Sequence, residues 1–118
     1  MTPRKRILCV EDHPDTTELI AVLLQDCKVI SAQTKADALR QAAAGQFDLY
    51  LLDYQLPDGL GLEICLFIRT FDPKTPILFY TGTDLLTEPQ VRTLGAQALI
   101  KKGETFSNDL RAAISRFL

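Results

Sequence analysis

The sequence predicts an α/β domain in which one parallel β-sheet is covered by helices on both faces. Three observations predict it. Short apolar runs alternate five times with stretches whose apolar residues recur at helical spacing. The helical stretches are long enough to serve as crossovers between parallel strands. The short runs are apolar nearly throughout rather than at every second residue, as strands buried on both faces require.

Each element can be read in order. Ile7-Leu8-Cys9-Val10 is a buried strand that ends in acids. Pro14 to Asp26 carries apolar residues at 19, 20, 23 and 24, with proline where a first helical turn tolerates it. Lys28 to Ala32 is a second strand. Thr34 caps a helix over Lys35 to Ala44, and Gly45 ends it. Phe47 to Leu52 is a third strand that runs into Asp53, and Gln55-Leu56-Pro57-Asp58-Gly59 is loop chemistry. Leu60 to Phe71 has a helical apolar stripe at 60, 64, 67, 68 and 71, stopped by Asp72-Pro73. Pro76 to Tyr80 is the fourth strand, followed by Thr81-Gly82-Thr83. The fourth helix starts near Thr87 with Pro89 in its first turn and ends at Gly95. Ala96 to Lys101 is the fifth strand. Thr105 to Leu118 is the last helix, with Phe106, Leu110, Ile114 and Phe117 on one face.

Composition bounds what such a domain can do. The 118 residues have the size of one domain, and 1–118 is expected to form a single unit. With 47% hydrophobic and 24% charged residues the chain is globular rather than disordered. The net charge of −2 leaves no basic stripe for nucleic acid, since Arg4-Lys5-Arg6 only leads into the first strand. The longest apolar run, Leu19 to Leu24, is six residues, against about 20 for a membrane span. No signal-peptide core is visible at the N-terminus. Cys9, Cys27 and Cys65 fit no zinc or redox spacing. A cytoplasmic protein with free thiols is the expectation.

In open parallel sheets the ligand site lies beyond the carboxyl ends of the strands. Those positions hold Glu11-Asp12, Asp53, Thr81 and Lys101-Lys102. If the first and third strands are neighbours, three carboxylates converge on one crevice. Like charges there raise one another's pKa, and a divalent cation relieves the conflict. Mg2+, which prefers oxygen ligands, suits such a set. A carboxylate beside it is a possible nucleophile toward phosphorus, with a lysine and a hydroxyl across the crevice to hold a phosphoryl group.

Four stretches together carry a family resemblance: Ile7-Leu8-Cys9-Val10-Glu11-Asp12, Asp53-Tyr54-Gln55-Leu56-Pro57-Asp58-Gly59-Leu60-Gly61, Pro76-Ile77-Leu78-Phe79-Tyr80-Thr81-Gly82, and Gly95-Ala96 followed by a lysine. The chain resembles, along its whole length, the receiver domain of two-component response regulators. The resemblance implies a doubly wound, flavodoxin-like (βα)5 three-layer sandwich with strand order 2-1-3-4-5. It implies that Asp53 accepts a phosphoryl group from a phosphohistidine on a histidine kinase or histidine phosphotransfer domain. It implies Mg2+ held by Asp12, Asp53 and the Gln55 backbone carbonyl, with Glu11 acting through a water. Thr81 and Lys102 are then the groups that meet the phosphoryl oxygens. Lys102 is chosen over Lys101 because the family's lysine lies seven residues after the glycine matched by Gly95. The resemblance further implies a cytoplasmic switch rather than an enzyme with a separate substrate, with an output partner the sequence does not name. It offers the fourth helix, fifth strand and fifth helix as a face for a homodimer.

Two departures fall on that face. Leu99 stands where the family usually has an aromatic residue, and Gly103 follows the lysine where proline is common. A cis bond before a non-proline residue costs about 2.5–4 kcal/mol, so a trans bond is expected. These departures motivate an alternative, a pseudo-receiver that binds partners without being phosphorylated. A third reading, an aspartate-nucleophile phosphohydrolase, calls for a second Asp two residues after the nucleophile, where this chain has Gln55. No glycine-rich phosphate loop supports nucleotide hydrolysis.

Overall fold

The computed structural model describes residues 3–118. Its elements run β1 (Arg6–Val10), α1 (Pro14–Leu23), β2 (Lys28–Ala32), α2 (Lys35–Ala44), β3 (Leu49–Asp53), β4 (Gln55–Leu56), β5 (Gly59–Leu60), α3 (Gly61–Arg69), β6 (Ile77–Thr81), α4 (Glu88–Thr93), β7 (Ala98–Lys101) and α5 (Phe106–Phe117). The main sheet has the order β2-β1-β3-β6-β7, and all its pairings are parallel. Leaving aside the small hairpin β4–β5, this is the order 2-1-3-4-5.

Strand parity sorts the core into two layers. Leu8, Val10, Tyr50, Leu52, Ile77 and Phe79 face the side covered by α2, α3 and α4. Ile7, Cys9, Leu49, Leu51, Leu78, Tyr80 and Ile100 face the side where Ile20 of α1 and Phe106, Leu110 and Ile114 of α5 pack. Strands β1, β3 and β6 are buried on both faces, which is why their sequences show no alternation.

The structure moves several expected boundaries. Helix α1 stops at Leu23, and the Cys27 N–H closes a turn onto the Leu24 carbonyl oxygen at 2.8 Å. Phe47 precedes β3 instead of starting it. Asp48 is occupied there with Arg6, donating its N–H to the Arg6 carbonyl and accepting from the Arg6 N–H. Leu60 pairs with Gln55 in the hairpin, so α3 begins one residue later than expected. Two-residue strands leave no periodicity to detect, so in the sequence the hairpin is indistinguishable from loop. Thr34 does cap α2, its hydroxyl accepting from the Asp37 N–H at 3.1 Å. Gly45 ends α2 in extended backbone, not in the left-handed region. Gly95, after α4, is the one described residue with positive φ, +100°. All described peptide bonds are trans, the one before Gly103 included.

Candidate phosphoryl-acceptor site

Parity and register place the site. Glu11 follows β1 in phase with Ile7 and Cys9, Asp53 is in phase with Leu49 and Leu51, and Lys102 is in phase with Ile100. All three therefore lie toward the α1 and α5 layer. Lys102 continues the ladder beyond β7, its N–H bonded to the Thr81 carbonyl at 2.8 Å. Lys101, one residue earlier, points the other way. Its ammonium meets the Thr83 carbonyl oxygen at 2.8 Å and Asp84 Oδ1 at 2.9 Å, outside the acid cluster.

Glu11, Asp53 and Thr81 are the polar residues buried among the described residues. Burying charge without a partner is costly, so three such residues at one sheet edge mark a built site. The Lys102 ammonium stands between two of them, 3.2 Å from Glu11 Oε1 and 3.3 Å from Asp53 Oδ2. Glu11 Oε2 accepts the His13 backbone N–H at 3.1 Å. The Thr81 hydroxyl oxygen accepts the Thr83 N–H at 3.1 Å, which aims the side chain across the loop after β6. Glu11, Asp12 and Asp53 each offer a carboxylate oxygen within 4.8 Å of the others. Asp12, His13, Thr16, Gln55, Gly82 and Thr83 complete a cleft of about 470 Å³ above them. Every residue named from strand ends thus lines one cleft, apart from Lys101. Leu99 does not reach it and packs instead against the α2–α3–α4 layer.

The two buried acids titrate in opposite directions. Burial, then the charge of Glu11, pushes the Asp53 carboxyl up from 3.8 to about 6, against the pull of Lys102. Burial alone would raise Glu11 too. The His13 N–H and the Lys102 ammonium outweigh it and hold Glu11 below the usual carboxylate range. Two crowded carboxylates with one ammonium leave negative charge in excess, and a third carboxylate, Asp12, stands beside them. Hard oxygen donors with surplus negative charge fit Mg2+, so the donor set suits that ion.

Close approach of backbone holds Asp53 in place. The Gly61 N–H bonds the Tyr54 carbonyl at 2.7 Å, and a Cβ on Gly61 would sit 2.0 Å from the Asp53 carbonyl oxygen. The sequence reading missed this contact and missed Tyr80 as part of the site. The only sequence signal for Tyr80 was a polar-tipped aromatic in a strand that otherwise needs apolar bulk.

A family model described as the response regulator receiver domain matches residues 7–115. The chain belongs to that family. As a receiver domain it is a signalling module of two-component systems. Over 81 residues it is 38% identical to the response regulator protein PilR of Pseudomonas aeruginosa, covering 67% of this chain and 18% of that one. Against the transcriptional regulatory protein KdpE of Mycobacterium tuberculosis it is 30% identical over 115 residues, covering 93% of this chain and 51% of that one. The receiver domain therefore spans about half or less of these relatives. Among solved structures it is similar to the response regulator protein TrrA of Thermotoga maritima, solved in complex with Mg2+ and BeF. That likeness has a TM-score of 0.86 and 28% identity, and covers 97% and 99% of the two chains. No helix of the described residues is long and apolar enough to cross a membrane.

Proposed function

We propose that this receiver domain accepts a phosphoryl group on Asp53 from a phosphohistidine of a histidine kinase or histidine phosphotransfer domain. The observation that carries the reading is the Lys102 ammonium held between buried Glu11 and Asp53, with buried Thr81 at the same sheet edge. Asp53 is mostly ionised at neutral pH despite its raised pKa, so a carboxylate oxygen is ready to attack phosphorus. The new O–P bond forms as the P–N bond breaks. The imidazole nitrogen of the donor keeps the electron pair and takes up a proton. Lys102 then exchanges its pairing with Asp53 for a charge-assisted bond to the phosphoryl group. The Thr81 hydroxyl donates to another phosphoryl oxygen.

Asp12, Asp53 and the Gln55 carbonyl would hold Mg2+, with Glu11 acting through a water. Bound there, the ion neutralises the charge that accumulates on the transferring group. In this reading the domain is a switch whose only catalysis is its own phosphorylation and dephosphorylation. It acts in the cytoplasm as one unit over 1–118, binds neither nucleic acid nor membrane itself, and signals to an output partner. The face formed by α4, β7 and α5 serves a homodimer.

Incubation with acetyl phosphate and Mg2+, read by intact mass, tests the reading. Wild type gains one phosphoryl group, and Asp53→Asn or chelation of the metal removes the gain. Labelling that survives Asp53→Asn would move the site elsewhere. The pseudo-receiver alternative rests on Leu99 and Gly103, and an unlabelled wild type would favour it.

A further inference from the structure

Tyr80 lies opposite Asp53 in the pairing of β3 with β6 and is fully buried. Its side chain reaches past β3 to β1. There the hydroxyl donates to the Val10 carbonyl oxygen at 2.9 Å and lies 4.0 Å from Cys9 Sγ. Burial raises the phenol far above its ordinary range, so the group stays protonated and stays a donor. Val10 directly precedes Glu11 and Asp12. On the other side, Lys102 Nζ stands 5.0 Å from the centroid of the Tyr80 ring. Phe106, at the start of α5, packs on that ring with centroids 6.0 Å apart. One side chain thus touches the base of the acid pair and the ammonium that answers it.

Lys102 needs such support. Its stem is long and its side chain is 30% exposed, so ordering the ammonium works against rotamer entropy. Glu11 and Asp53 supply two points of contact, at 3.2 and 3.3 Å. A ring face beneath supplies a third point of contact, and cation–π attraction favours that placement.

We propose that Tyr80 is a positioning residue whose ring fixes the Lys102 ammonium against Asp53, so that the lysine stands in place as a phosphoryl group arrives. The inference rests on the proposed phosphorylation of Asp53. It adds a residue that touches neither the phosphoryl group nor the metal.

A double-mutant cycle tests it. Phosphorylation by acetyl phosphate and Mg2+ is timed by intact mass in wild type, Tyr80→Leu, Lys102→Ala and the double variant. Tyr80→Leu slows the reaction about two- to fivefold, the size of a partly exposed cation–π contact, and has no further effect once Lys102 is alanine. Tyr80→Phe keeps the ring and restores the rate to within about twofold. A slowing of the same size in the Lys102→Ala background would show a merely structural role and overturn the proposal.

NMR of the Lys102 Cε protons gives a readout that needs neither phosphorylation nor the leucine variant. They are shifted upfield by the ring in wild type and in Tyr80→Phe. Unshifted protons in wild type would overturn the proposal by themselves. A wild type that carries the shift but takes no label would refute phosphorylation of Asp53, and the positioning role with it, while leaving the contact standing.

Discussion

Asp53 shows how a single residue couples the site to stability. Its folded carboxyl titrates near 6, against 3.8 in the unfolded chain, because it is buried beside Glu11. The folded state therefore binds this proton more tightly than the unfolded one. The stability it contributes is full below about pH 4 and is lost as pH rises through about 6. The shift corresponds to about 3 kcal/mol at most. Glu11 shifts the opposite way and offsets part of it, since stability from a lowered carboxyl is present at neutral pH and lost on acidification. Asp53→Asn removes the ionised carboxylate and is expected to stabilise the metal-free protein at pH 7 by about 1–2 kcal/mol. The gain should shrink toward pH 4. Urea denaturation at several pH values measures it, and a variant less stable than wild type at pH 7 would contradict the assignment of burial as the main cause.

At the scale of elements, the segment between β3 and α3 locates one side of the cleft. The hairpin β4–β5 is fastened to α2, where Asp58 accepts the Lys35 and Ala36 N–H groups and Lys35 pairs with Glu63 at 2.9 Å. Behind the hairpin, Gly61 packs onto the Asp53 carbonyl with no room for a methyl group. Gly61→Ala must displace the end of β3, and overpacking of this kind costs about 1–3 kcal/mol. The urea midpoint should fall accordingly. Labelling of Asp53 should fall further than stability alone explains, because the proposed nucleophile itself moves. Elements of five or more residues with apolar runs or clear caps were legible in the sequence: β2 and α2 lie where the spacing and Thr34 placed them. The hairpin was not legible, because two-residue strands carry no periodicity, and the contacts of Asp58 with Lys35 and Ala36 join residues far apart in sequence.

For the whole molecule, the proposed Mg2+ site links binding to folding. An ion that binds only the folded state stabilises it by RT ln(1 + [L]/Kd), about 2.7 kcal/mol at a hundred times Kd. Mg2+ should therefore raise the melting temperature of wild type, with a smaller rise in Asp12→Asn and Asp53→Asn. An equal rise in all three would place the ion elsewhere. Switching has a comparable scale. In the proposed reaction Thr81 gains a bond to the phosphoryl group while Lys102 exchanges its bond to Asp53 for one, so together they supply at most about 3–6 kcal/mol. Inverting a 1:99 equilibrium takes about 5.5 kcal/mol. The margin is narrow, and Leu99, packed in the α2–α3–α4 layer, offers no ring to add to it.

By itself the sequence determined the α/β class, the alternation of strands and helices, and the residues that stand at or just past the carboxyl end of each strand. These follow from local chemistry: apolar runs, caps, and the breakers between them. Strand order came from resemblance, because periodicity says nothing about which strand pairs with which. Only the tertiary structure decided that Lys102 meets Glu11 and Asp53 while Lys101 turns to Thr83 and Asp84. Only it showed Tyr80 beneath that lysine with its hydroxyl on β1. The physical reason is the same in both cases. Adjacent residues on a strand face opposite layers, so which side chains meet depends on parity and register between strands far apart in the chain.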